Sequence, residues 1–397
     1  MLKPNLNELG KLAKDTHIET KKYFDKLKKK TPKNLDYVMQ DLHDAEFKKT
    51  DCLECANCCK TTGPLFTSAD IERISKSFRQ RLYRLHKHEH PITTVDLGAL
   101  RPGSTPDDTR FALSEIVRDL IVAGMMPVVI GGSQDLTLAL HEAYRPFGKL
   151  MNITSIDSRF DLGSPDSNLS SKAWLGKIVL QQPTYLFNFS NIGYQTHFVG
   201  AESVEFMNKL LFDTYRVGEA RASLQDIEPV IRSSDMITFD MSVIRQADAP
   251  GTTDPSPNGL SGEEACQLML YAGLNDQLSS VGFFEFDSKS DSNQQTAHLG
   301  AQMLWYLMEG YGNRMGDFPG KAPESNFTRY HVEAGVASGN LVFLKHNFTS
   351  RWWLELPSPV SQDNPDLIRK RHIPCSAKDY QQAMQNEMPE RLWRIIQ

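Results

Sequence analysis

Asn152-Ile-Thr-Ser-Ile-Asp-Ser-Arg-Phe-Asp161 opens with β-branched residues and stops at a carboxylate. Isoleucine and threonine suit a pleated strand, because branching at Cβ leaves them little rotamer freedom to lose there. The segment therefore predicts a buried strand ending at Ile156, with Asp157 at its exit. Three further runs repeat the pattern: Pro127-Val-Val-Ile130 leads into Gly131-Gly-Ser-Gln-Asp135, Met236-Ile-Thr-Phe239 into Asp240, and Val281-Gly-Phe-Phe284 into Glu285. Amphipathic stretches such as Thr109 to Ala123 and Glu263 to Ala272 separate them. Short apolar strands alternating with helices predict an α/β domain of three layers, a mostly parallel sheet with helices on both faces. Parallel strands deliver their C-terminal ends to one rim, where such sheets bind ligands. Any one of these acids could simply cap the next helix. As a set they predict a shared polar site, and crowded carboxylates require a divalent cation, a basic side chain or raised pKa values.

The chain has 397 residues, with 44 Lys and Arg against 49 Asp and Glu, net −5. That length allows two or three domains. The charge balance gives no general reason to bind nucleic acid or an acidic membrane. No uninterrupted apolar run reaches about 18 residues, so neither a membrane span nor a secretory signal is expected, and the expected location is cytoplasmic. Residues 1–80 read as a small helical module, with a helix starting at Ser68 that buries Ile71, Ile74 and Phe78. Residues 81–91 read as a linker and 92–397 as the α/β domain, closing on a helix from Pro389 to Ile396. Cys52, Cys55, Cys58 and Cys59 crowd together in the first module, a spacing suited to a thiolate site for Zn or Fe, with reduced free thiols as the alternative. With Lys60, Gly63-Pro64 and Asp70-Ile71-Glu72-Arg73-Ile74 behind them, residues 1–80 resemble the start of a small family of zinc- or iron-chelating domains.

From Ile92 onward the chain resembles the ureohydrolase family of arginases, agmatinases and formimidoylglutamases. The likeness rests on Ile130-Gly-Gly-Ser-Gln-Asp135, Ile156-Asp-Ser-Arg-Phe-Asp161, Thr238-Phe-Asp-Met-Ser242 with Ala249-Pro-Gly-Thr-Thr253 and Gly259-Leu-Ser-Gly-Glu263 behind it, and Phe284-Glu-Phe-Asp287. Ser190-Asn-Ile-Gly-Tyr-Gln195 and the Arg351-Trp-Trp stretch are similar to the formimidoylglutamase-like branch. The resemblance implies hydrolysis of linear amidines by two manganese ions held by two histidines and four aspartates. Asp157, Asp161 and Asp240 match that set; Gln134 and Arg159 stand for the histidines and Ser242 for the fourth aspartate. It further implies that Glu285 and Asp287 receive the substrate's cation and that Glu285 and Asp161 are the carboxylates left for catalysis; the family's further histidine has no clear counterpart in Ser164 to Lys172, which offers Ser170 and Ser171, with Ser170 expected to contact substrate.

These replacements carry chemical consequences. Gln134, Asp157, Asp161 and Asp240 offer an all-oxygen site for at most one Mn or Mg. A guanidinium has only donors and cannot ligate, so Arg159 is expected to replace the second cation by bridging Asp157 and Asp240. The leading expectation is thus a degraded centre that binds a small amidine or amino-acid-like ligand with little hydrolysis. An active metal-dependent amidine hydrolase is the first alternative, and an interaction protein acting through the cysteine module the second; homo-oligomerisation stays open. The family's opening strand has no equivalent among residues 1–91, so either Ile92 to Leu97 or a partner chain is expected to fill its place, or the domain is compromised.

Overall fold

Each branched run becomes a strand, and the strands assemble in parallel. A computed structural model describes residues 68–90, 92–164, 166–291, 293–333, 340–356 and 371–387, all within one compact unit, Pro64–Gln397. Strands β1 (Val128–Ile130), β2 (Met151–Ile156), β3 (Leu186–Tyr194), β4 (Asp213–Arg216), β5 (Met236–Asp240) and β6 (Ser280–Phe284) form a six-stranded sheet in the order β1-β6-β5-β2-β3-β4. Every neighbouring pair in it is parallel.

Helices cover both faces. Helices α1 (Ser68–Leu82), α2 (Pro106–Val122), α3 (Thr137–Glu142), α4 (Trp174–Val179), α5 (Ala201–Lys209), α6 (Val217–Ala222), α7 (Leu224–Arg232), α8 (Gly262–Gly273) and α9 (Gln295–Gly312) follow in chain order. On one face α1, α6, α7, α8 and α9 pack against Ile237, Phe239, Val281 and Phe283. On the other, α2 to α5 pack against Ile153, Phe189, Met236 and Phe284. Buried along their whole length, β5 and β6 are mostly apolar, with Thr238 and Ser280 as buried hydroxyls, which is why they read as short near-continuous runs. Helices α8 and α9 approach closely because Gly273 and Gly310 face each other; a Cβ on Gly273 would overlap the Leu307 carbonyl oxygen. Gly273→Val is expected to cost about 3 kcal/mol, since backbone cannot yield as a side chain can. A urea melt checks this, and an unchanged midpoint would contradict the close approach.

Ile74 and Phe78 of α1 are buried as expected; the side chain of Ile71 lies outside the described residues. Residues 92–97 are not a strand, which corrects the expectation that they fill a missing place in the sheet. They are instead pinned to α1, where Arg79 Nη2 meets Asp96 Oδ1 at 2.7 Å. No interior gap exists among the six strands. The sheet's edges are β1 and β4; no described strand pairs with the outer side of β1, and Ile74 and Phe78 belong to the core cluster against which Val128 and Ile130 pack.

A second sheet, not anticipated from the aromatic tail, contains β7 (Phe327–Glu333), β8 (Asn340–His346), β9 (Trp352–Glu355) and β10 (His372–Cys375). It is antiparallel, in the order β10-β9-β8-β7, and Phe343, Leu354 and Ile373 form its core. The helix expected at Pro389 to Ile396 and the four clustered cysteines lie outside the described residues. Among the described residues no helix is long and apolar enough to cross a membrane.

Candidate metal centre

The adjacent strands β1, β6, β5 and β2 end side by side, and each contributes to one cleft. After β1 the chain turns through Gly131 and Gly132, at φ 91° and 82°. Only glycine adopts these values without strain, and a Cβ on Gly132 would also overlap Leu136. The turn buries Gln134 completely. Its backbone N–H donates to Glu285 Oε1 at 2.7 Å, its Nε2 to Ser155 Oγ at 3.4 Å, and its Oε1 has no partner.

Three aspartates complete the cleft, and each has one oxygen held by a fixed N–H. Asp157 Oδ1 accepts the Arg159 backbone N–H at 2.8 Å. Asp161 Oδ2 accepts Trp174 Nε1–H at 3.1 Å, and Asp240 Oδ1 accepts the Ser242 N–H at 2.6 Å. Asp157 Oδ2 is buried without a partner. Both Asp161 and Glu285 sit at positive φ, 51° and 65°, a conformation that non-glycine residues keep only where the surroundings impose it.

Burial and mutual repulsion push these acids toward their neutral forms. Burial, then the charge of Asp161, raises Asp157 well above the ordinary range. Burial raises Asp161 to about 7 even though Trp174 opposes the shift. Asp240 is raised by burial, then by Asp157 and Glu285, and Glu285 by burial against the hydrogen bonds from Thr253 and Gln134. No described cation forms an ion pair with any of the four.

Arg159 does not do so, which overturns the expectation that it bridges Asp157 and Asp240. Its Nη2 reaches Asp254 Oδ2 at 3.0 Å, its Nη1 the Phe198 carbonyl at 3.4 Å, and the guanidinium stacks over the Phe198 ring at 4.1 Å. The side chain is 26% exposed. Facing outward, it keeps part of its hydration and gains a carboxylate and an aromatic face, whereas the cleft would strip it of water. Burial alone would raise Asp254, but Arg159 and Lys172 outweigh it and hold that acid low. Arg159→Ala is therefore expected to cost about 1 kcal/mol, in the range of a part-exposed pair with a cation–π contact, and to leave cation binding in the cleft unchanged. Thermal melts and manganese titrations of the variant check both parts.

The remaining expected site residues are placed differently. The Asp287 carboxylate accepts the Lys289 N–H at 3.0 Å and the Ser290 hydroxyl, so it closes its own turn. Ser170 lies at the entrance to α4, its carbonyl accepting the Ala173 N–H at 3.0 Å. Sequence reasoning missed Thr253, whose hydroxyl donates to Glu285 Oε2, and Asp254; both follow the Ala249-Pro-Gly turn, which was the available signal. Trp174 was also missed, and one tryptophan in a helix gives no sequence sign of the acid it meets.

Among the described residues no three His, Cys, Asp or Glu side chains form a metal-holding group, so the fit depends on the amide oxygen of Gln134. Gln134 Oε1 and Asp157 Oδ2 are acceptors buried without a donor, a condition that a proton, a water or a cation relieves. Oxygen donors suit Mg²⁺ and Mn²⁺, and ligating carboxylates are commonly steadied by just such N–H groups. The donor set present is of the oxygen type that a hard cation takes.

The arginase family model matches residues 54–309, beginning well before Ile92. The chain is 23% identical over 222 residues to a formimidoylglutamase of Corynebacterium efficiens, covering 54% of this chain and 71% of that protein. It is 28% identical over 204 residues to a formimidoylglutamase of Geobacillus kaustophilus, covering 49% and 63%. A Trypanosoma cruzi formiminoglutamase structure with manganese superposes with a TM-score of 0.56 at 20% identity, over 65% of this chain and 90% of that one. The Bacillus subtilis formimidoylglutamase gives 0.54 at 16%, over 61% and 81%. These structural likenesses carry the fold, and the family match over more than half of the sequence carries the membership: this chain belongs to the arginase family.

Proposed function

We propose that this chain is a formimidoylglutamase-like hydrolase of linear amidines that works with one hard divalent cation, manganese or magnesium. The observation that supports it is the pair of donorless buried oxygens, Gln134 Oε1 and Asp157 Oδ2, among acids with no cation of their own. Gln134, Asp157, Asp161 and Asp240 would hold the ion. When bound, it supplies positive charge that polarises a carbon–nitrogen centre and acidifies water. The protein supplies the rest. Glu285, steadied by Gln134 and Thr253, offers negative charge to the amidinium end of a small amino-acid-like substrate. The loop through Thr253 and Asp254 is tied at one end to Glu285 and at the other to Arg159, which limits access of bulk water.

Binding without turnover is a second reading, favoured by Arg159 and Ser242 at positions where the family resemblance implies ligands. One ion acidifies water less than two acting together. No nucleic acid or membrane enters either reading; Cys52, Cys55, Cys58 and Cys59 are proposed as a separate Zn or Fe site. Incubation with Mn²⁺ and N-formimino-L-glutamate, with arginine and agmatine as comparators, is expected to release formamide and to stop with EDTA. Saturable substrate binding with no formamide or urea released would contradict the first reading and support the second.

A further inference from the structure

Three charged side chains meet at the mouth of the metal cleft, and each is tethered beside a different acid within it. Arg159 Nη2 and Lys172 Nζ approach one oxygen, Asp254 Oδ2, at 3.0 and 3.5 Å. Arg159 lies two residues beyond Asp157, whose Oδ1 accepts its backbone N–H. Lys172 lies two residues before Trp174, whose Nε1–H is bonded to Asp161. Asp254 follows Thr253, whose hydroxyl donates to Glu285. Segments anchored beside three buried acids thus converge on one carboxylate oxygen, which places the trio across the opening between those acids and solvent. Exposure agrees: the Arg159, Lys172 and Asp254 side chains are 26%, 64% and 47% exposed, while Asp157, Asp161 and Glu285 are buried.

Two cations share one acid there, so the trio is net positive. A guanidinium carries five N–H donors. In Arg159, Nη1 and Nη2 spend one each, on the Phe198 carbonyl and on Asp254, and Nε–H has no described acceptor. The Phe198 ring, 4.1 Å from the guanidinium, holds its plane. A planar fork with donors to spare takes a carboxylate through parallel hydrogen bonds, and the Lys172 ammonium adds charge beside it. Behind the mouth the sign reverses, because the groups lining the cleft are acids.

A positive rim over an acidic interior orients a dipolar ligand, amidinium inward and carboxylate outward. A ligand whose far end is a second cation, as in agmatine, meets two like charges at the rim, and such repulsion is a common source of selectivity. We infer that Arg159 and Lys172 are specificity-determining residues: they receive a carboxylate of the substrate at the mouth, and they select amidines of acidic amino acids over amidines that end in an amine or an alkyl group. Asp254 holds the two cations together until the incoming carboxylate shares them. The inference rests on the reading of the cleft as an amidine site and names the class of amidine it takes.

The test compares N-formimino-L-glutamate with N-butylformamidine, which keeps the amidine and lacks both carboxylates. Both are titrated calorimetrically into the full chain with Mn²⁺, and formamide release is followed in parallel. The wild type is expected to bind the acidic compound about 100-fold more tightly, a preference that shrinks as salt screens the rim. Arg159→Ala should cut the preference about tenfold and Lys172→Ala about threefold, through KM and not kcat where turnover occurs. Arg159→Lys, which keeps the charge, should recover part of the loss. Asp254→Asn separates this role from a structural one. If Arg159 merely tied down the loop, losing Asp254 would weaken binding as much as losing Arg159; a substrate-facing pair released from its own acid binds the acidic compound more tightly. Equal affinity for the two compounds, a preference unchanged in both cation variants, or an Asp254→Asn loss matching that of Arg159→Ala would overturn the inference and leave the amidine site standing. Saturable binding of neither compound would overturn both. The expected shifts without formamide release would support the inference and count against hydrolysis alone.

Discussion

Asp157→Asn is expected to weaken Mn²⁺ binding at least 100-fold and to abolish formamide release, yet to make the metal-free protein more stable at pH 8. The two halves share one cause. Asp157 is 1% exposed, one oxygen is spent on the Arg159 N–H, and the other has no donor. Ionised and without a cation, such a group loses its hydration and gains little in return. An amide of the same shape removes the charge that repels Asp161 and Asp240, and removes a ligand in the same step. Function at the expense of stability is the usual signature of a binding site. Chemical melts of wild type and variant, with and without Mn²⁺, measure both halves; a variant less stable than the wild type without metal would contradict the account.

Metal-free wild-type protein is expected to lose stability as pH climbs from mildly acidic values through about 7. Asp161 holds its proton up to about pH 7 in the folded chain, against about 3.9 when unfolded. Asp157 and Asp240 are raised in the same direction, chiefly by burial. A carboxyl with a raised folded pKa stabilises the fold at low pH, and that contribution disappears as pH climbs through the folded value. The slope is about 1.4 kcal/mol per pH unit for each group still protonated only when folded. His141 works in the opposite sense. Burial holds it down to about 4, so its contribution is lost as pH falls from about 6.5 toward 4, and above that window it adds no slope. Mn²⁺ at 100 times its dissociation constant should restore about 2.7 kcal/mol and flatten the profile. A flat profile without metal would mean that the acids find compensation elsewhere.

The layered fold and the shared rim were legible because they follow from local rules. Strands such as Met236–Asp240, buried on both faces, must be mostly apolar, and a parallel sheet must present their ends together. The positive φ at Gly131 and Gly132 was not read from the sequence, although two adjacent glycines after a strand were its signal. The antiparallel sheet from Phe327 to Cys375 was not legible, because a strand such as Phe327–Glu333 is largely exposed and mixes Thr, Arg, His and Glu with its apolar residues, so no apolar run marks it. Nor was the direction of Arg159. Its sequence position places it two residues from Asp157, yet the guanidinium answers to Phe198 and Asp254, 39 and 95 residues away. Which partner a long cation chooses depends on hydration at the rim, and no spacing rule records that. Residues 92–97 failed as a strand because the sheet ends at β1, where α1 packs beside the edge.

Elemental analysis of the full chain after equilibration with excess Mn²⁺ and removal of loosely held ions tests the central claim most directly. One manganese per chain is the expected result, absent in Asp157→Asn and Asp240→Asn and retained in Arg159→Ala. No manganese in the wild type, or an undiminished content in the two aspartate variants, would contradict it.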